Sequence, residues 1–420
     1  MKKISLTFVS TIFMAFLLGT PTPAASTTTW SGTTADWNTV GNWSPLIPTS
    51  IYNVGLNGNG SAVIDINSLN ASAFGVVFSG TTAYDITSSG GTLNLTTAGT
   101  ITSSSTAAQT IYAPIVIGAA AGAATYTFGN SSPAQAAPLI FDGTITGFGG
   151  SGTTALTLTG PTNGIINQLN GVVSDGSGGA DPLRISMGLG TWNITGANTF
   201  SGGFTLSGSS AAGTVLQIGN NAALGTGALT YSNGTISAVN APVTISNNIT
   251  ATVQTVVFGG TANLTVNGTT TLASVGGSGT DGVTDGNLGV LTLGAVNLSQ
   301  TTGTPAAPVP TIAVGSEAHL VLNGVVANGN TPLAGTLTIN LGLNSSLALN
   351  GNNTFGTAGG SSKVAFGQSD GAVVTFGTAN ALGNSASWAA GGSSITAVTY
   401  FEAAPGGVTI GTAQTAGGVS

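Results

Sequence analysis

Trp192-Asn-Ile194-Thr-Gly196-Ala-Asn198-Thr199-Phe200-Ser-Gly202-Gly203, followed by Val215-Leu216-Gln-Ile218-Gly219-Asn-Asn-Ala-Ala223-Leu224-Gly225-Thr-Gly227-Ala-Leu229, decides the fold. Short apolar alternations sit between glycine and asparagine corners. Strands this short cannot bury a face alone, so the unit must stack on copies of itself. A second copy is present. Asn353-Thr354-Phe355 lies 155 positions after Asn198-Thr199-Phe200, and Leu382 in Ala381-Leu382-Gly383 lies 158 after Leu224. The three-residue difference falls between the two motifs, where a loop absorbs it. Leu156-Thr-Leu158-Thr-Gly160 begins a weaker copy.

The pattern resembles the autotransporter-associated β-strand repeat of secreted bacterial passenger regions. The resemblance covers about 35 residues, twice, near 192–229 and 347–385. It implies a passenger role at the cell surface. The autotransporters it resembles carry a C-terminal outer-membrane barrel, and no barrel-like strand set precedes Ser420, so self-transport is not carried over.

Composition agrees with a stacked β architecture. Of 420 residues, 67 are Gly and only 4% are charged, against roughly 25% in an ordinary soluble domain. Apolar β-branched residues recur throughout, which argues against charge-driven disorder. The net charge is -7. Loss of Lys2 and Lys3 with a leader leaves Arg184 and Lys363 as the only basic side chains. Two isolated cations cannot neutralise several phosphates, so nucleic acid and anionic membrane surfaces are poor partners. Cysteine is absent, which excludes disulfides, thiolate metal sites and a cysteine nucleophile.

In chain order, Met1-Lys2-Lys3, the apolar run Ile4 to Leu18 and Pro21 to Ala25 read as a secretory signal peptide over 1–25. The 15-residue apolar run falls short of the roughly 20 residues needed to span a bilayer. No membrane span is expected in the mature chain. Residues 26–60 form a Trp-rich segment. Trp30, Trp37 and Trp43 fall in a pattern that resembles the start of many secreted proteins with the same repeat. They have two readings: an apolar plug over the first rung, or an exposed sugar-stacking platform. The plug is favoured. Residues 61–420 form the solenoid. Ala119 to Ala124 reads as an edge or corner, and the Pro-rich 301–310 as a loop. Asn-Gly and Asp-Gly pairs, including Asp285-Gly286, read as corners.

Chemistry is sparse. His319 is the only histidine, and with Glu317 it reads as a solvated outer pair. Three-histidine metal sites are impossible. Asp175 to Asp181 and Asp281 to Asp285 are the only acidic pairs for loose Ca²⁺ coordination, and turns are favoured for both. Arg184 near Asp181 is the sole pairing for a polysaccharide-cleaving site. A Thr-rich face for ice or a crystalline polymer ranks third, because no Thr-x-Thr unit recurs at a fixed spacing.

The expected fold is all-β: a right-handed parallel β-helix (β-solenoid) with an N-terminal cap, at roughly 20 residues per rung. The expected function is a secreted or surface-exposed structural stalk, with an adhesive role contemplated. No catalysis, cofactor or metal is assigned. The different-class alternative is a carbohydrate-binding or polysaccharide-degrading β-helix, with an extracellular glycan or cell surface as partner.

Overall fold

The structure, a computed structural model, describes residues 26–118, 121–177, 182–208, 213–252, 255–272, 282–298, 311–327, 336–355, 363–367, 369–378, 380–383, 387–391, 399–403 and 415–417. Residues 1–25, Asp181, Asp281 and residues 301–310, expected as a loop, lie outside these residues.

The protein is a β-solenoid. Among the described residues, one 3-10 turn, Val40–Asn42, is the only helical element. None of the described helices is long and apolar enough to cross a membrane. The chain visits the sides of the stack in turn. The second side is a single sheet of 15 parallel strands, from Val63–Ile66 to Thr415–Gly417. At about 4.8 Å per strand that sheet is about 70 Å long. The first side runs through Ala121–Asn130, Ser151–Thr159, Arg184–Met187, Phe204–Ser207 and Leu229–Asn233, each parallel to the last. The third side begins with Ile115–Ile117, Ile145–Gly147 and Val173–Ser174. Later it is the seven-stranded sheet from Val243–Ile245 to Thr399–Ala403.

Alternation explains these strands. Buried and outward residues alternate along almost every one, as in Gly190–Ile194 and Thr214–Ile218. Parallel register then stacks like on like. Ile64, Ile86, Ile111, Phe141, Leu169, Ile194 and Ile218 form one continuous column, and all are 0% exposed. Each such side chain stabilises the fold by about 1.5–3 kcal/mol. Phe128 stacks on Phe141 at 4.6 Å, and Phe141 on Trp192 at 6.2 Å. Of the segment Ala119 to Ala124, expected as an edge or corner, the described part from Ala121 instead enters the strand Ala121–Asn130, paired over nine positions.

The repeat has a concrete meaning. Asn198 is buried. Its Oδ1 accepts from Val173 N–H at 2.7 Å, and its Nδ2 donates to Ala223 C=O at 2.6 Å. Asn353 does the same with Val326 N–H at 2.8 Å and Ala381 C=O at 2.6 Å. The Asn-Thr-Phe and Ala-Leu-Gly halves are therefore neighbouring rungs of one corner, joined by an asparagine clamp. Gly225 and Gly383 close the upper half at φ +64 and +63, where a side chain is strained. A Cβ on Gly225 would also strike the Phe200 carbonyl.

Candidate functional site

The N-terminal tryptophans are inside. Trp30 and Trp37 are 0% exposed and Trp43 is 4% exposed. Trp43 meets both others edge-on, at 4.8 Å each, and its Nε1 donates to Trp37 C=O at 2.6 Å. A sugar platform needs an open ring face, and these three indoles have none. The platform reading of Trp30, Trp37 and Trp43 is therefore corrected. Their strand Ser26–Trp30 sits on Tyr52–Leu56 and carries Trp43–Ser44 antiparallel on its other edge.

The ionisable groups are dispersed. Among the described residues, no three His, Cys, Asp or Glu side chains gather as a metal site. Asp175 serves the main chain: Oδ1 accepts from Leu183 N–H at 2.7 Å, and Oδ2 from Ser201 N–H at 3.1 Å. His319 points outward as expected, but its partner is Ser346 on the next rung, Nδ1 to Oγ 2.8 Å. Glu317 does not share its strand face. It occupies a corner at φ +61, and its N–H donates to Leu343 C=O.

Asp285 corrects a second expectation. It lies within the strand Gly282–Asn287 and is 0% exposed, so Asp285-Gly286 is not a corner. Its register neighbours are Phe258 and Val314. Oδ1 accepts from Asn287 N–H at 2.9 Å, and Oδ2 has no partner. Burial pushes the carboxyl up from its ordinary 3.8 to about 6, against the opposing Asn287 N–H. A raised folded-state value means the proton stabilises the fold. That contribution is complete below about pH 4 and is lost as pH rises through about 6, worth up to ~3 kcal/mol. Asp285→Asn should therefore melt higher than the parent at about pH 8 and match it more closely at about pH 4. Parallel pH profiles for the two proteins would show that Asp285 does not carry the dependence.

Two surface features remain. A groove of about 510 Å³ lies on the second side. Its floor is the outward column Thr191, Val215, Thr235, Val257, each in register with the next. Thr162, Gly164, Gly213 and Asn233 wall it, and no charged residue lines it.

The first side carries a hydroxyl array. Thr100, Thr127, Thr157, Ser186, Thr205, Thr230, Thr250 and Thr271 are successive register partners. A second column runs beside it through Thr102, Gly129, Thr159, Gly188, Ser207, Ser232 and Thr252, its hydroxyls interrupted at the two glycines, of which Gly129 is buried. Here Thr102, Gly129 and Thr159 pair directly, the register shifts at Ser207, and Ser232 and Thr252 hydroxyls meet at 2.8 Å. No complete Thr-x-Thr ladder forms in space either, since Gly129 and Gly188 break the second column, but the inner column is a continuous row of hydroxyls. Rung length on this side ranges from 19 residues, Ser186 to Thr205, to 30, Thr127 to Thr157. The readable signal was the triplet with a buried centre, as in Thr100-Ile101-Thr102, Thr157-Leu158-Thr159 and Thr205-Leu206-Ser207.

Comparison with protein-family models, curated proteins and solved structures finds no match. The geometry therefore stands on its own.

Proposed function

We propose that this chain is an exported structural solenoid, a stiff, weakly charged stalk that holds an adhesive side face at the bacterial surface. The observation that carries this is the continuous parallel stack, in which, among the described residues, the acidic groups are dispersed, several tied to the scaffold by hydrogen bonds and one buried in the core. Asp175 and Asp285 illustrate the two cases. The basic, then apolar leader and the resemblance of the repeat to passenger regions support export. No residue is assigned to catalysis.

The test is expression of the full chain in a Gram-negative host, with fractionation, N-terminal sequencing and protease shaving of intact cells. The expected result is a mature chain beginning near Ala25 or Ser26, outside the cytoplasm. Retention in the cytoplasm with Met1 intact would overturn the reading. The uncharged groove over Thr191 to Val257 favours a second reading, a neutral glycan-binding module. A glycan-array screen on the folded chain tests it, and Val215→Trp should abolish any specific signal that arises there.

A further inference from the structure

We propose that the first side of the stack binds ice through its inner hydroxyl column, flanked by the interrupted second one. The inner column holds eight hydroxyls on eight successive rungs. At about 4.8 Å per rung it extends about 34 Å, and the outer column lies about 6.6 Å across the strands. Among the described residues, none of the eight inner hydroxyls is engaged by another protein group. Seven of the eight are threonine, whose branched Cβ restricts χ1 and fixes the hydroxyl and methyl in place.

The chemistry of the face narrows its partner. A net hydrogen bond to one hydroxyl contributes only about 1 kcal/mol. Many such contacts sum to useful affinity only when neither surface loses much freedom on binding. The partner must therefore be rigid and periodic, like the array. It must also be uncharged, because Arg184, at the margin, is the only charge on the strands of this side among the described residues. Among the described residues, no outward aromatic for stacked sugar rings lies on the strands of this side within these eight rungs; the exposed Tyr112 and Phe148 fall outside those strands. Tyr126, Phe128, Phe204 and Tyr231 all point inward and are at most 1% exposed. Frozen water fits what is left. A hydroxyl both donates and accepts, as water does, and the intervening methyls order the water above them. The sequence spacing is irregular while the spatial spacing is regular, as a lattice-matching face requires.

The test uses the full mature chain in ice-affinity partition and in ice recrystallisation assays. Thr205→Tyr with Thr230→Tyr places bulk in the middle of the array. Thr265→Tyr with Thr292→Tyr places the same bulk on the third side, where both residues also face outward. The parent should enrich in ice and halt recrystallisation. The array variant should need about tenfold more protein, equivalent to ~1.4 kcal/mol, and the third-side variant should match the parent. Melting curves establish that both variants are folded. Exclusion of the folded parent from ice overturns the proposal whatever the variants do. Equal loss in both variants also overturns it. So does retention on microcrystalline polysaccharide without enrichment in ice, which would assign the array to a carbohydrate lattice.

Discussion

Trp43→Ala should destabilise the N-terminal rungs by about 3–5 kcal/mol, the range for deleting a buried large aromatic. Trp43 is wedged between Trp30 and Trp37 at 4.8 Å from each. Its removal empties the space between them and leaves the Trp37 carbonyl without the Nε1 donor. The cost is local, because each rung of a stack contacts only its neighbours. Hydrogen exchange should accelerate through Tyr52–Leu56 and Ala71–Phe78, and stay unchanged at Ser346–Leu349. Trp43→Phe keeps much of the volume and should lose less. Unchanged exchange in Tyr52–Leu56 after Trp43→Ala would mean that the indole cluster does not seal the end of the stack.

Asn198→Ala should cost about 3 kcal/mol, because it strands two buried main-chain groups at once. The Val173 N–H and the Ala223 C=O, on the rungs either side, both lose their partner. Asn353→Ala removes the equivalent pair, Val326 N–H and Ala381 C=O, and should cost a similar amount. The two sites are far apart and share no partner, so the double variant should be additive within about 0.5 kcal/mol. Thr199→Ala provides the contrast. Thr199 is exposed, and its substitution should stay within about 0.5 kcal/mol. Chemical denaturation of the four variants checks the series. A cost at Thr199 equal to that at Asn198 would remove the clamp from the account of the repeat.

The architecture was legible because period-two alternation of Val, Ile and Leu between glycine corners has few other physical solutions. The repeated Asn-Thr-Phe and Ala-Leu-Gly motifs were also visible. Their linkage was not, since it depends on which residues fall one rung apart. Asp285 was misread because Asp-Gly ordinarily marks a turn, and only register shows that its carboxyl enters the core between Phe258 and Val314. The tryptophans allowed two readings because an aromatic cluster looks alike in sequence whether buried or displayed. The hydroxyl array stayed hidden for a different reason. Rungs of 19 to 30 residues scatter its members along the chain, while the strands hold them in line.

The in-register parallel stack also has a mechanical consequence. A tension applied to one end falls on the hydrogen bonds of the terminal rung alone, since the rungs behind it are still shielded by one another. When that rung yields, a segment of about 25 residues, such as Leu169 to Ile194, straightens to about 85 Å of free chain. The stack shortens by only about 4.8 Å in exchange. The molecule is therefore stiff under small loads and becomes a long shock-absorbing tether under large ones, giving up its length in discrete steps.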